Sequence, residues 1–444
     1  MTPSVLLLVV DALRADRVLG ENRACRTPNL DEFRESATTF TRAFSVASTT
    51  TPCVASILTG TYPFVHGVHS LAGRRLRADL PTLPELFKWN GYRTWAETTG
   101  PLQPMTGLDR GFDEYRCRPP EQWLDTPFGD ELVARLTSTQ EPWFGYVHLW
   151  EVHNPRRVTS GFNHSAYGAT LYDRAVSSLD NQLGRVLDAI PDDTLVVFTA
   201  DHGEYLSPSR RKEWVTRLKG PAAWAKRNVP GVKRLRRWLM PHLFRGLRAG
   251  TPTDTDGYRA WLGHGFHVYD TLVHVPLLVR GADSGFPAGT VVEPLVSHVD
   301  VFPTLASALG LDGALPAHLS GLDLTALGRN GAAAAREALY LEANGARRMD
   351  HPEQWLAGLR TERYKYARGM HNPDLPVELY DLELNPEESE NVAVDRPEIT
   401  AELAARLSEL MQVDVDAEPT PETAYTPEEE ALLEARLRDL GYLD

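Results

Sequence analysis

A threonine-rich segment offers the first residues in this sequence whose types and spacing could do chemistry. Thr50 lies within Thr49–Gly60, between a strand-like run and an apolar run with helical character. A hydroxyl at this position would lie at the N-terminus of a helix, where free N–H groups and the positive end of the helix dipole favour a bound anion. An ordinary N-cap is the simpler interpretation of such a threonine. The role of Thr50 therefore depends on the polar residues that other segments supply.

Three apolar runs end in polar residues, as buried strands of an α/β protein do at the sheet edge that carries its site. The runs are Val5–Val10, followed by Asp11; Trp143–Trp150, followed by Glu151 and His153; and Thr194–Ala200, followed by Asp201, His202 and Glu204. Carboxylates and imidazoles brought to one edge suit a hard or borderline divalent cation. Because such runs alternate with helical stretches such as Tyr172–Ile190, the pattern predicts an α/β fold with a mostly parallel sheet between helices.

Further motifs follow along the chain in a fixed order. They are Val9–Asp16, Arg26–Asp31, Leu58–Val68, Asp201–Glu204, Gly263–Gly265, His274–Leu277, Asp300–Thr304, Arg360–Tyr366 and Glu378–Leu382. Together they resemble the sulfatase family within the alkaline phosphatase superfamily. A single motif is weak evidence. So many motifs in the order of the family, spread over nearly the whole chain, make the resemblance specific. The resemblance implies a sulfatase-like α/β fold with a mostly parallel central sheet, plus a smaller C-terminal α+β domain with an antiparallel sheet.

The nucleophile position departs from the sulfatase pattern. Sulfatases carry Cys or Ser, later oxidised to formylglycine, at the head of a Cys/Ser-x-Pro-x-Arg motif, and here that alignment places Thr50 at the head and Val54 at the arginine. Cys53 comes three places too late, so we interpret it as a small core residue. Threonine at this position resembles the superfamily's phosphodiesterases and its phosphoglycerol or phosphoethanolamine transferases. The expected substrate therefore shifts from a sulfate ester toward a phosphoester.

The resemblance also implies a metal site. Its ligands, carried over residue by residue, are Asp11, Thr50, Asp201 and His202, and Ala12 stands where many sulfatases have a second aspartate. This thin shell fits one divalent ion, Ca, Mn, Mg or Zn, with positions open to water and substrate oxygen. Polar turn residues at strand ends are the structural alternative for the aspartates and the histidine. Without a carboxylate at Ala12, the identity and affinity of the metal stay open.

Candidate proton donors also come from the resemblance. Thr50 is a weak nucleophile at neutral pH and needs a metal ion or an adjacent base. His153 and His264 align with family histidines that contact the anionic group or the leaving oxygen, and either could act as the general acid. A loop-capping role is the alternative for His153. His267, three residues beyond His264, is a second candidate for the same position.

One arginine is a candidate for substrate binding. Arg14, which follows the first apolar run, could touch a substrate phosphate. A salt bridge to Asp16 or Asp31 is the alternative role for its guanidinium.

Length and composition predict a folded enzyme with more than one domain. The chain has 444 residues, of which 42% are hydrophobic, enough for a large domain and a smaller one. We predict a catalytic domain over residues 1–334 with an insertion at 207–260, a small domain over 335–413, and a linker with a C-terminal helix over 414–444. That helix starts at Thr426-Pro427, with Thr as cap and Pro at the first helical position. Its apolar residues Leu432, Leu433, Leu437 and Leu440 predict docking on the body.

The number of cysteines, the short apolar N-terminal run and the net charge indicate where the protein works and which partners it binds. Cys25, Cys53 and Cys117 are too few and too unpatterned for a disulfide scaffold, which favours a reducing compartment. Val5–Val10 is too short for a signal-peptide core or a membrane span, so we expect a soluble, cytoplasmic protein. The net charge of -14 argues against general nucleic-acid binding.

The insertion at 207–260 breaks the acidic pattern. It is rich in Arg and Lys, contains four of the six lysines in the chain, and carries Trp214, Trp224 and Trp238 among them. The pattern predicts one or two basic amphipathic helices. One interpretation is a surface subdomain whose arginines pair with an acidic body. The other is a lid that docks peripherally on an anionic membrane or grips a lipid-linked or polymeric substrate.

Three functions are compatible with the sequence. The leading one is a metal-dependent hydrolase or phosphotransferase that acts on a phosphoester, chiefly a phosphodiester, through Thr50. The second is a sulfate ester hydrolase that works without formylglycine. The third is a non-catalytic relative that binds an anionic glycan or lipid. Retention of Asp11, Asp201 and His202 argues against the third, because buried charges are costly without a cation or another partner.

Overall fold

The computed structural model describes residues 2–21, 23–138, 142–206, 264–281, 284–311, 313, 315–316, 319–330, 336–344, 355–411 and 424–440. The chain divides into two compact units, Met1–Gly203 with Gly265–Asp444, and Glu204–His264. The insertion predicted at 207–260 belongs to the second unit and lies outside the described residues, so its basic helices stay a prediction.

The described part of the larger unit contains a nine-stranded sheet. Its strands are β1 Val5–Val10, β2 Thr38–Phe44, β3 Arg93–Thr98, β4 Glu114–Cys117, β5 Trp143–Leu149, β6 Leu195–Ala200, β7 His274–Arg280, β8 Val291–Val292 and β9 Val296–Ser297. The order is β4-β3-β5-β1-β6-β7-β2-β8, with β9 also paired to β2. Neighbours from β4 to β6 are parallel, and β7 pairs antiparallel with both β6 and β2. This confirms the mostly parallel central sheet. It also explains the continuous apolar runs of β1, β5 and β6, which are buried along their whole length.

Helices cover the sheet on both faces. The helices of the described residues are α1 Pro28–Glu35, α2 Thr50–Thr59, α3 Pro63–His66, α4 Leu83–Trp89, α5 Pro127–Ser138, α6 Leu171–Asp188, α7 Asp270–Val273, α8 Val301–Ala308, α9 Thr325–Asn330, α10 Pro397–Leu410 and α11 Pro427–Asp439. Phe87 of α4 stacks on Phe144 of β5. Phe33 of α1 lies against Phe198 of β6. In β1, Val5 is paired with Phe144 and Leu8 with Phe198, and residues three positions apart in a strand point to opposite faces. Phe198 and Phe144 therefore lie on opposite faces of the sheet. The two helical layers therefore enclose the sheet as the sequence predicts.

A second, antiparallel sheet forms near the C-terminus. Its strands, in spatial order, are β10 Ala338–Ala343, β11 Leu356–Thr361, β12 Tyr364–Gly369 and β13 Glu378–Asp381. Leu403 and Leu407 of α10 are buried in one apolar cluster with Tyr366 of β12. The antiparallel sheet is confirmed, and α10 packs against it. The boundaries 1–334, 335–413 and 414–444 stay predictions.

The C-terminal helix begins as the sequence predicts. Thr426 accepts from the backbone of Glu429 and the Glu429 side chain accepts from the backbone of Thr426, which forms a capping box. Leu433 and Leu437 are buried in one apolar cluster with Leu71, Ala72 and Trp150. The docking prediction is wrong for Leu432, which is 61% exposed. Leu432 lies about 100° around the helix from Leu433, outside the i, i+4, i+7 stripe that docks.

Among the helices in the described part of the chain, none combines the length and the apolar character needed to cross a membrane.

Candidate active site

Three polar side chains meet at the carboxyl ends of three neighbouring strands. Val9 of β1 is in register with His148 of β5 and with Thr199 of β6. Residues in register point to the same face of the sheet, and so do residues two positions apart in one strand. Asp11, two residues after Val9, and Asp201, two residues after Thr199, therefore lie on the same face as His148. Ligand atoms of Asp11, His148 and Asp201 all lie within 4.8 Å of one another. The sheet itself therefore assembles these side chains, and all three are fully buried.

Asp201 is held by backbone amides on one oxygen and faces imidazoles with the other. Its Oδ1 accepts from the N–H of Ala12 at 3.0 Å and from the N–H of His202 at 2.7 Å. Its Oδ2 lies 3.5 Å from Nε2 of His148 and 3.7 Å from Nε2 of His202. Burial acts to raise the pKa of Asp201, but His202, His148 and the Ala12 amide outweigh it and hold this pKa below its usual value. Asp201 is therefore an anion with one oxygen directed into the cluster.

His202 is oriented by its own loop. Its Nδ1 lies 2.7 Å from the carbonyl oxygen of Gly203, and a carbonyl can only accept, so the proton belongs on Nδ1. Nε2 lies 3.9 Å from Oδ1 of Asp11 and 3.5 Å from Oγ1 of Thr50. The loop requires glycine at Gly203, because a Cβ there would lie 2.3 Å from the carbonyl oxygen of Thr271. This hydrogen bond from the outer ring nitrogen is the usual support of a metal-binding histidine.

Thr50 joins these side chains from helix α2. It is the first residue of α2, preceded by the N-cap Thr49, and it is fully buried. Its Oγ1 donates to Oδ2 of Asp11 at 3.1 Å and lies 3.5 Å from Nε2 of His202. The structure thus brings together the four predicted ligands Asp11, Thr50, Asp201 and His202. Together with His148 we call them the strand-end cluster.

The strand-end cluster fits a divalent cation. Its oxygen and nitrogen atoms lie 3.1 to 3.9 Å apart. Bonds of roughly 2.1 Å in tetrahedral arrangement place neighbouring ligand atoms about 3.4 Å apart, in the same range. Within the described residues, Oδ2 of Asp201 and both ring nitrogens of His148 have no hydrogen-bond partner. Buried polar atoms seldom lack a hydrogen-bond partner. Two buried carboxylates next to two imidazoles also favour binding of a cation between them.

The sequence did not point to His148. It lies inside the apolar run of β5, where a polar residue has no local signal of function. The turn residues that follow, Glu151 and His153, drew attention instead. One signal was available in the alternation of side chains along a strand. If β5 is known to pair with β1, this alternation places His148 on the same face of the sheet as Asp11.

Glu151 and His153 lie in the segment that follows β5. Glu151 accepts from the backbone N–H groups of Leu124 and Trp150, so its carboxylate fixes the loop after β5. His153 is buried, with its ring 3.8 Å from that of Trp150. Trp150 in turn packs in one apolar cluster with Leu433 and Leu437 of α11.

The remaining predicted residues have defined neighbours. Arg14 pairs with Asp16, donating from Nε at 2.9 Å and from a terminal nitrogen at 2.7 Å, which is the alternative that the sequence offered. His264 belongs to the smaller unit, where its Nδ1 lies 3.5 Å from Oε1 of Glu204. His267 stacks on Tyr269, with ring centroids 4.9 Å apart. Direct roles for Arg14, His264 and His267 stay predictions.

Cys53 behaves as the small core residue that the sequence predicts. It is a free cysteine, fully buried in the second turn of α2. Burial raises the pKa of its thiol well above the usual value. A thiol kept protonated is a poor nucleophile, so Thr50 is the better candidate on this helix.

Known proteins resemble the chain at the level of family and fold. The family model described as sulfatase matches residues 3–311, and the model described as N-sulphoglucosamine sulphohydrolase, C-terminal, matches residues 257–413. Arylsulfatase K of Mus musculus is 32% identical over 157 residues, which cover 32% of this chain and 26% of that protein. The chain therefore matches about a quarter of the length of that relative.

Two further proteins match over most of their length. The ulvan-active sulfatase of Formosa agariphila is 22% identical over 480 residues, with coverage of 92% of this chain and 81% of that protein. The phosphonate monoester hydrolase of Agrobacterium radiobacter has a similar fold, with a TM-score of 0.69, 21% identity, and coverage of 96% of this chain and 100% of that one.

Proposed function

We propose that this chain, which belongs to the sulfatase family because the family model matches residues 3–311, is a metal-dependent hydrolase or transferase that cleaves a phosphoester through Thr50. The observation that carries the proposal is the position of the Thr50 hydroxyl. It lies at the first residue of α2 and 3.1 Å from Asp11, inside a cluster suited to a divalent cation. A threonine cannot become formylglycine, so sulfatase chemistry that depends on that residue is not open to it.

The described residues supply the parts of a nucleophilic displacement. A divalent cation held by Asp11, Asp201 and His202 would lower the pKa of the Thr50 hydroxyl and balance negative charge on the ester oxygens. The hydroxyl proton has an acceptor at 3.1 Å in Oδ2 of Asp11. The N-terminus of α2 presents N–H groups and a positive dipole end to the non-bridging oxygens.

The reaction then proceeds in two displacements. Oγ1 of Thr50 attacks phosphorus in line, the P–O bond to one leaving group breaks, and the phosphoryl group is transferred to Thr50, where a phosphodiester substrate keeps its second ester group on phosphorus. In the second step water or an acceptor alcohol attacks the same phosphorus and Thr50 leaves, which gives hydrolysis or transfer. We assign protonation of the leaving oxygen to His153, which follows β5 at the sheet edge where Asp11 lies.

A sulfate ester is the second candidate substrate. The sulfatase family model and the sulfatases named above favour it. The same two-step scheme applies to sulfur, with Thr50 in place of formylglycine. Phosphoester and sulfate ester cleavage through Thr50 differ in substrate and share the mechanism.

Substrate preference and nucleophile are tested in one experiment. Metal-stripped protein is reloaded with single divalent cations and assayed with aryl phosphodiesters, phosphomonoesters, phosphonate monoesters and sulfate esters. We expect phosphodiester turnover that falls by at least about 10⁴-fold in Thr50→Ala, the scale of losing a nucleophile, and that survives in Thr50→Ser, which keeps a hydroxyl. Turnover of any of these esters that is unchanged in Thr50→Ala contradicts the proposed mechanism.

An anionic lipid-linked or polymeric substrate is part of the proposal. The basic composition of 207–260, between Asp201–Glu204 and Gly263–Gly265, supports it. We expect binding to phosphatidylglycerol vesicles at low salt that is lost when residues 210–248 are deleted. Protein that ignores such vesicles, with turnover of every ester unchanged by the deletion, contradicts this part alone.

A further inference from the structure

The metal position contains a substitution that the fold explains. Ala12 adjoins Asp11, and its N–H donates to Asp201, so it lies beside the strand-end cluster without offering a ligand atom. Its φ is 59°, a left-handed conformation that alanine adopts at a cost and that aspartate tolerates better. The backbone at this position therefore suits a carboxylate that this chain lacks.

His148 offers the ligand that Ala12 does not. Its Nε2 lies 3.5 Å from Oδ2 of Asp201 and 3.8 Å from Oδ2 of Asp11. The side chain is 0% exposed, and neither ring nitrogen has a hydrogen-bond partner among the described residues. A histidine buried for packing would satisfy at least one nitrogen, as His298 does nearby by bonding the carbonyl of Ala200 at 2.9 Å.

We propose that His148 is a metal ligand that replaces the carboxylate missing at Ala12, so that this centre selects a borderline transition-metal ion such as Zn²⁺ over Ca²⁺ and Mg²⁺. The inference rests on the proposed function, because it concerns the ion that the Thr50 reaction uses. With His148 the cluster presents two imidazoles, two carboxylates and one hydroxyl. Ca²⁺ takes six to eight oxygen ligands and Mg²⁺ prefers octahedral oxygen, whereas imidazole suits Zn²⁺ and its first-row neighbours.

The direct test counts nitrogens rather than turnover. Metal-stripped full-length protein is loaded with Mn²⁺ and examined by pulsed electron paramagnetic resonance, which detects coordinated imidazole nitrogen. We expect two imidazoles in the wild type, one in His148→Gln, and two in the control His298→Gln, which changes a buried histidine outside the cluster. One imidazole in the wild type, or two in His148→Gln, overturns the inference.

Metal preference gives an independent measurement. Calorimetric titration with Zn²⁺ and with Ca²⁺ is compared between the wild type and the double variant Ala12→Asp with His148→Ser, which restores a carboxylate and removes the imidazole. We expect the wild type to bind Zn²⁺ at least about 100-fold more tightly than Ca²⁺, beyond what an outer-sphere change produces, and the double variant to shift toward Ca²⁺. Equal affinities for the two ions in the wild type overturn the inference.

The two proposals fail separately. Two imidazoles together with turnover that survives Thr50→Ala would leave the ligand assignment in place and remove the mechanism. One imidazole together with turnover lost in Thr50→Ala would do the reverse.

Discussion

The strand-end cluster and the buried network around Lys365 both place carboxylates inside the protein, and they balance the charge differently. In the second, which we call the Lys365 network, Lys365 contacts Asp270 and lies 2.7 Å from Oε1 of Glu388. Arg360 lies 3.2 Å from Asp270, whose N–H donates to Glu388 at 2.6 Å. The chain supplies cations here.

The strand-end cluster is built from carboxylates, imidazoles and a hydroxyl. Asp11 and Asp201 face His148, His202 and Thr50 at 3.1 to 3.9 Å. A buried carboxylate without a cation is costly, so charge balance there is expected to come from outside the chain. This difference distinguishes a structural ion-pair network from a binding site. The Lys365 network links α7 to β12 and to the loop after β13, whereas the strand-end cluster is suited to bind a cation.

Removal of the metal is expected to have the largest effect, and only on the strand-end cluster. Chelation should lower turnover by about 10³-fold or more, because several kcal/mol of transition-state stabilisation are lost. Restoring the ion at about a thousandfold excess over its Kd should raise the free energy of unfolding by roughly 4 kcal/mol. Turnover and thermal unfolding are measured with and without a chelator. Identical values in both conditions would contradict a metal centre.

Disruption of the Lys365 network is expected to act on stability alone. Lys365→Met leaves Asp270 and Glu388 buried without their ammonium partner, so the free energy of unfolding should fall by about 3 to 5 kcal/mol. Urea denaturation measures the loss. The metal-dependent gain in stability should persist in this variant. If Lys365→Met unfolds at the same urea concentration as the wild type, or if the folded variant no longer binds metal, the proposed difference between the two regions is contradicted.

Helix α11 tests how the surroundings of the strand-end cluster are held. Leu433→Ala removes a buried contact in the cluster that includes Trp150, on which His153 lies. We expect a loss of roughly 2 to 3 kcal/mol in stability. We also expect slower turnover of esters with poor leaving groups and little change for activated aryl esters, since only the former need a positioned acid.

The adjacent residue provides the matched control. Leu432 is 61% exposed on the same helix, so Leu432→Ala should change stability by no more than about 0.5 kcal/mol. Equal effects of the two substitutions, on stability and on both classes of ester, would show that α11 does not support His153.

The smallest expected effect is a pH dependence confined to the Lys365 network. Burial raises the pKa of Glu388 to about 7, against the opposing effect of Lys365. The folded chain therefore holds this proton more tightly than the unfolded chain, so the contribution to stability is full below the ordinary pKa of 4.5 and is lost as the pH rises through about 7.

Glu388→Gln mimics the protonated side chain at every pH. Relative to the wild type, its free energy of unfolding should increase between about pH 5 and about pH 8 by on the order of 1 to 3 kcal/mol. Urea midpoints across that range measure the difference. A difference that is constant with pH, or that runs the other way, would contradict the raised pKa.

The sequence was sufficient for the parts of the site that local pattern marks. Asp11 and Asp201 each follow an apolar run that became a buried parallel strand, and Thr50 precedes an apolar helix. The fold class follows from the same patterns, and the antiparallel C-terminal sheet follows from the resemblance to the sulfatase family. These features depend on residues close together in sequence.

The parts that were missed depend on pairing between distant segments. His148 becomes part of the site only because β5 lies beside β1, a register that no local pattern states. The burial of Trp150 under α11 joins residues far apart in the chain. Leu432 is different, since the i, i+4, i+7 spacing of Leu433, Leu437 and Leu440 already excludes it from the docked stripe.

The central claim is that the oxygen of Thr50 becomes covalently bonded to phosphorus. Metal-loaded protein is mixed with a phosphodiester, quenched in acid within the first turnover, digested and analysed by peptide mass spectrometry. The account predicts, in the wild type, a Thr50 that carries the phosphoryl group with its one retained ester group; this adduct is absent from Thr50→Ala and disappears when the substrate is exhausted. Product formed at full rate with an unmodified Thr50, or with the phosphoryl group on another residue, would contradict it.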